Sequence, residues 1–338
     1  MTPLSRRDFI KMTALGTAAL AGGALEACGR ETGAGAPAAA VAAKPAGPRW
    51  PGRVVRARHP GVWRNGELDP AALHQLLDAS VVQLTGAPDP RQAWSALVRP
   101  GERVAIKVNS IPRGSSHVAL ALAAITCLRE AGVKPEDITL FDWTTDSLRD
   151  AGFPVNRSGA GVRCRGTDGD FSGGWSVGGK TVRLSRILTD CDALINIPIL
   201  KAFTEGGISF AMKNHYGSFD IPSDFHGRNF TAGAVGVNGL APIRDKTRLV
   251  IGDILSWEAR HDVTHYAVVG GASTLLVSAD PLAHDRVGVQ TATEAFAPSG
   301  ANVRSFQMQA ESWLASGAQQ GLGEPRPEKI EMREVRLT

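Results

Sequence analysis

Residues 103–141 constrain this chain more than any other stretch. A short apolar run over 103–108 ends in Lys107-Val108-Asn109, a polar loop over 109–116 leads into a helix over 117–131, and Gly132 closes that helix. A Pro135-Glu136-Asp137 turn then starts a second apolar run, 138–141, which ends in Asp142. Two short strands joined by one helix form a βαβ unit, and such a crossover makes its strands parallel. Parallel sheets are covered on both faces, so the rest of the chain must supply helices for two layers.

The remaining pattern meets that requirement. Residues 53–58 read as a strand, followed by a His59-Pro60-Gly61 turn. Asp69-Pro70 is a helix start, with Asp as N-cap and Pro in the first turn, and Leu73, Leu76, Leu77, Val81 and Leu84 follow at helical spacing. A shorter helix is expected over 91–98. Further strands are expected over 193–197, 249–252, 273–277 and 330–336, and further helices over 185–189, 208–214, 281–293 and 303–316. Residues 154–179 read as irregular structure or a hairpin. The polar, Gly-rich segment 217–242 reads as a functional loop or lid, because aromatics recur in it beside His226. The expected fold class is α/β: a mostly parallel, Rossmann-like sheet with helices on both faces, as a single domain over 51–338.

Ahead of that domain, Ser5-Arg6-Arg7-Asp8-Phe9-Ile10-Lys11 precedes an apolar run over 12–25 that is too short and weak to span a bilayer. Charge order, length and position are those of a twin-arginine export signal over 1–28. Leu25-Glu26-Ala27-Cys28 resembles a lipobox with lipidation at Cys28, although Glu26 is unusual there; cleavage near Ala24 or Ala27 is the alternative. Residues 29–50 are rich in Ala, Gly and Pro and read as a tether. The expected location is the periplasm or cell envelope, membrane-anchored through Cys28, with the twin-arginine translocase as a partner. A formal charge of +4 without a dense Lys/Arg block argues against nucleic acid as a partner. Cys127, Cys164 and Cys191 form no metal-ribbon or iron–sulfur spacing and read as buried, reduced residues.

Several expected strands end in polar residues, and in open α/β sheets ligands bind at the carboxyl edge. Lys107 lies inside an apolar strand, on the face it shares with Ala105, and a buried lysine needs a partner, a ligand or a shifted pKa. The segment 209–217 gathers Lys213, Asn214, His215 and Tyr216, with His226 downstream. The catalytic candidates are therefore Lys107, Lys213, His215 and His226. Asn109, Arg113, Ser116, Lys201, Asn214 and Tyr216 are candidates for binding a small-molecule ligand, with Ser116 also readable as an N-cap. Asp253, Asp280 and Asp285, at or just past strand ends, could hold a divalent metal. His261 and His265 have i, i+4 spacing but read as part of an exposed polar loop.

The stretches GERVAIKVN (101–109), CDALINIPILK (191–201), MKNHYG (212–217), KTRLVIGD (246–253) and SADPLAHD (278–285) resemble the domain-of-unknown-function 362 family, in its twin-arginine-exported branch. The resemblance implies a common fold and site without naming a reaction. The family pattern places a histidine two residues after the lysine that is Lys201; this chain has Phe203 there. Other members carry ferredoxin-like cysteine motifs, and this sequence has none. Two functional readings follow. One is an envelope enzyme acting on a small anionic or carbonyl-bearing substrate, with or without a divalent metal. The other is a non-catalytic ligand-binding or accessory lipoprotein of an exported redox complex.

Overall fold

A computed structural model describes residues 47–111, 114–256, 260–261, 266–269, 273–297 and 303–338. The export signal, Cys28, most of the tether, Arg113 and His265 lie outside the described residues. In chain order, the elements that position the site are β1 (Arg53–Arg58), α1 (Pro70–Thr85), β2 (Val104–Val108), α2 (Val118–Glu130), β3 (Ile138–Asp142), β4 (Arg163–Gly166) and β5 (Ala193–Ile197). They continue with α3 (Ala211–Asn214), α4 (Phe230–Asn238), β6 (Thr247–Ile254), β7 (Thr274–Ser278), α5 (Pro281–Phe296), α6 (Val303–Gln319) and β8 (Glu331–Arg336).

Eight strands form one sheet in the order β8-β1-β7-β6-β5-β2-β3-β4. Neighbours pair in parallel throughout, except that β7 runs antiparallel to both β1 and β6. This is the expected α/β architecture. Alternation along each strand divides the core in two. Val104, Ile106 and Val108 of β2, with Ile195 and Ile197 of β5, pack with α1 and α2, whereas Ala105 and Leu194 join the layer that contains α3 to α6. Lys107 and Asn196 share the parity of Ala105 and Leu194 and sit opposite each other in register, so the second layer receives two polar side chains side by side.

Local chemistry explains most element boundaries. The Asp69 carboxylate accepts from the backbone N–H groups of Ala71 and Ala72, capping α1 as expected. Gly132 follows α2 at φ +94°, a conformation that favours glycine.

Two expectations are corrected and a third is borne out. Residues 208–209, read as the start of a helix, belong to a strand, Gly207–Ser209, that hairpins with Lys201–Phe203, and α-helix begins only at α3. The segment 154–179 does form a hairpin, Phe171–Val177 with Lys180–Ser185, preceded by β4. The segment 217–242, read as a loop or lid, is largely helical, with short 3-10 turns leading into α4. Gly233 and Gly236 in it serve close packing: a Cβ on Gly233 would lie 2.5 Å from Phe225 Cβ and 2.7 Å from the Tyr216 hydroxyl, and one on Gly236 would lie 2.6 Å from Val177. A helix built to approach its neighbours this closely has the composition of a loop.

The three buried cysteines are all free thiols. Burial pushes the Cys164 thiol up to about 12 and that of Cys191 up to about 11, so neither is a ready nucleophile.

Candidate functional site

A cavity of about 680 Å³ opens where β2 and β3 end. Seven of the residues singled out in the sequence line it: Lys107, Asn109, Lys201, Lys213, Asn214, Tyr216 and His226. Side chains separated by up to 119 positions thus share one chamber at the carboxyl edge of the sheet.

Its floor is an ion pair. Lys107 Nζ lies 2.7 Å from Asp142 Oδ1, both side chains being almost fully buried, and donates to the Val108 carbonyl at 2.6 Å. The other Asp142 oxygen accepts from the Ser110 backbone N–H at 2.7 Å and from its hydroxyl at 2.8 Å, while Trp143 N–H donates to Oδ1. Burial pulls the Lys107 amine below the ordinary lysine range, and Asp142 opposes that pull. Gly217 closes over the pair: a Cβ there would stand 1.9 Å from Asp142 Oδ1 and 2.9 Å from Lys107 Nζ. The glycine ending MKNHYG is therefore required by close approach.

A chain of amides forms one wall. Asn214 Nδ2 donates to Asn196 Oδ1 at 2.7 Å, Asn109 Nδ2 approaches Asn214 Oδ1 at 3.4 Å, and Lys201 Nζ donates to Asn109 Oδ1 at 3.1 Å and to the Gly114 carbonyl at 3.1 Å. Each amide oxygen is used, which fixes the Asn109 and Lys201 heads.

Lys213 is set differently. Its amine lies 4.4 Å from the centre of the Phe203 ring and 4.7 Å from that of Tyr216, and no ion pair holds it among the described residues. Burial brings its pKa down to about 8, opposed by the charge of Glu205. Phe203 thus gives Lys213 an aromatic face. The Glu205 carboxylate accepts from the Gly227 backbone N–H at 3.0 Å and pairs with His226 Nδ1 at 2.8 Å. Burial raises the Glu205 pKa, but these two contacts outweigh it and hold the carboxyl below the usual range. Tyr216 gives its hydroxyl to the Phe225 carbonyl at 2.7 Å, so the ring faces the ligand space and the phenol does not.

Other candidates are placed elsewhere. His215 is buried behind the wall, with Nδ1 at 3.2 Å from the Ser218 hydroxyl; burial first, then the charge of Lys107, lower its pKa to about 3, so it stays a neutral core histidine. Ser116 is not the N-cap of α2, which is His117; the Ser116 hydroxyl accepts from Asn109 N–H and donates to the Ile197 carbonyl, pinning the loop to β5.

The proposed trio of metal carboxylates does not assemble. Asp253 accepts from His117 N–H and pairs with His117 Nδ1 at the start of α2. Asp280 accepts from backbone N–H groups of Leu282, Ala283, Gly52 and Glu324. It also lies at the opposite rim, because β7 runs against β6. Asp285 accepts from the N–H groups of Ala211 and Met212, capping α3, the helix that carries Lys213 and Asn214. The three share no ligand-distance cluster; among the described residues the group that meets that spacing is His74, Asp78 and Cys127.

Two site residues were not singled out beforehand: Asp142 as partner of Lys107, and Glu205. The need of a buried lysine for a counterion, sought at the neighbouring strand's end, points to Asp142. Nothing local marks Glu205.

The family described as "Domain of unknown function (DUF362)" matches residues 104–290, a span that contains β2, the amide wall and Lys213. The chain belongs to this family. No curated protein matches the sequence. Among solved structures, the chain is similar to the lactate racemase apoprotein from Thermoanaerobacterium thermosaccharolyticum at 10% identity, with a TM-score of 0.40. That similarity covers 66% of this chain and 55% of that one.

Proposed function

We propose that this protein is an enzyme that binds a small anionic, carbonyl-bearing molecule in the cavity and uses the Lys213 amine on its carbonyl. The supporting observation is the setting of Lys213: a buried amine against the Phe203 and Tyr216 rings, its pKa lowered by burial, in a cavity that Lys107 and Lys201 also line. A perturbed amine set in a cleft with other cationic groups marks a candidate functional site. Lys201 and Asn109 would hold the anionic group. Lys213, with aromatic faces beside it, would supply a nitrogen lone pair, and His226, oriented by Glu205, would move the proton. Lys107 supports the floor.

Attack of the neutral amine on a carbonyl gives a carbinolamine, and loss of water gives an imine. Sodium borohydride reduces that imine to a stable secondary amine. The test is incubation with a small 2-oxo acid such as pyruvate plus borohydride, followed by peptide mass spectrometry. Modification at Lys213 that disappears in Lys213→Met supports the reading. A 2-oxo acid that raises the melting temperature but leaves Lys213 unmodified would instead indicate passive binding, and neither effect would refute both.

Export belongs to the same proposal. The paired Arg6-Arg7 before a weak apolar run supports passage through the twin-arginine translocase, and Cys28 supports a lipid anchor in the envelope. Among the described residues no helix is long and apolar enough to cross a membrane. Metabolic labelling with a radioactive fatty acid, lost in Cys28→Ala, tests the anchor.

A further inference from the structure

We infer that His74, Asp78 and Cys127 form a binding site for a zinc-like divalent ion between α1 and α2, on the layer opposite Lys107. The site is independent of the cavity. His74 and Asp78 lie four apart on α1, while Cys127 and Glu130 lie three apart on α2, and these spacings put each pair on one helical face. The two helices pack directly against each other in the first layer of the core.

One ligand atom from each of His74, Asp78 and Cys127 lies within 4.8 Å of the other two. His74 Nδ1 is 3.8 Å from Asp78 Oδ2. An ion with bonds of ~2.0–2.3 Å in tetrahedral geometry holds such nitrogen, oxygen and sulfur ligand atoms roughly 3.3–3.6 Å apart, so small side-chain shifts close the site.

The surrounding contacts select the donors. His74 Nε2 lies 2.8 Å from Glu130 Oε2; as an N–H it donates there and leaves the Nδ1 lone pair facing Asp78. Trp94 Nε1 donates to Asp78 Oδ1 at 2.9 Å and leaves Oδ2, the oxygen nearer His74, for an ion. Asp78 pairs with no lysine or arginine among the described residues, His74 being the partner nearest its Oδ2, so its carboxylate is open to a cation shared with that imidazole. The sulfur is fully buried, while His74, Asp78 and Glu130 keep 17%, 18% and 28% of their side-chain surface exposed. An ion can thus enter from solvent with Cys127 as its deepest ligand. One nitrogen, one oxygen and one sulfur suit zinc and not the hard, oxygen-seeking magnesium or calcium. Three protein ligands leave a fourth position for water. The expected role is to clamp α1 to α2.

The test loads the full chain with zinc, removes excess by gel filtration and counts metal by elemental analysis. Cobalt then serves as a spectroscopic substitute. The expected result is one zinc per chain, a rise in melting temperature reversed by a chelator, and a cobalt–thiolate charge-transfer band absent in Cys127→Ser. Glu130→Gln, which leaves all three ligands in place, should weaken zinc binding by about 10- to 100-fold. If Cys127→Ser does not fold, His74→Ala and Glu130→Gln decide by the same readouts. A wild-type chain that retains no zinc overturns the inference, as does zinc held equally well by folded variants, which marks an adventitious ion only.

Discussion

The amine of Lys213 should react at neutral pH far faster than lysines on the surface, and the structure gives the size of the effect. A lysine titrating near 8 is about one-tenth neutral at pH 7; one at the ordinary 10.5 is neutral in roughly one molecule in 3,000. The ratio is about 300-fold. A less basic amine is also a weaker nucleophile, and a Brønsted slope of ~0.4–0.5, the value for thiols, returns about tenfold of that gain. A net advantage of about 30-fold remains. Competitive acetylation with trace acetic anhydride between pH 6 and 11, read peptide by peptide, measures both midpoint and rate. Glu205→Gln supplies the perturbation. Its carboxylate raises the Lys213 pKa, so its removal should move the midpoint below 8 and further increase labelling at pH 7. The stability consequence has a definite sign. The folded value lies below the unfolded one, so the unfolded chain binds more protons between about 8 and 10.5, and the folded state gains stability as pH rises through that window. A midpoint at 10 or above, or an upward move in Glu205→Gln, would refute the reasoning.

Three further outcomes follow from the same geometry. Lys107→Met should cost about 3–5 kcal/mol in urea unfolding, because it strands the buried Asp142 carboxylate, and adding Asp142→Asn should recover part of the loss; a loss under about 1 kcal/mol would contradict the ion pair. Gly217→Ala should destabilise by about 1–3 kcal/mol and reduce Lys213 trapping, since its methyl group must displace Asp142 or Lys107; unchanged unfolding and trapping would disprove the close approach. His215, held near 3 when folded against an ordinary 6.5, leaves the unfolded chain binding more protons as pH falls. The wild type should therefore lose about 2 kcal/mol between pH 7.5 and 5, and His215→Gln should flatten that slope; parallel pH profiles for the two proteins would rule out a buried neutral imidazole.

The sequence by itself determined most elements of the sheet and its first helical layer, and one half of the ion pair at the floor of the site. Periodicity and capping are local, so β1, α1, β2, α2, β3 and β5 could be placed from their own residues, and the cost of burying Lys107 marked the face it occupies. The placing of Lys107 and Asn109 at one rim was legible because parallel strands deliver their carboxyl ends there, whereas Lys201, Lys213, Asn214 and His226 reach the same cavity from a hairpin, from α3 and from the 3-10 turns before α4. Strand direction and pairing choice were not legible, because they depend on contacts between segments far apart in the chain. Reversal of β7 sent Asp280 to the other rim. Distant backbone N–H groups claimed Asp280 and Asp285, and His117 claimed Asp253. Glu205 reached His226 across 21 positions, and His74 reached Glu130 across 56. A carboxylate at a strand end looks the same in sequence whether it will meet a metal, an amine or a helix terminus, and only packing settles which partner replaces its water.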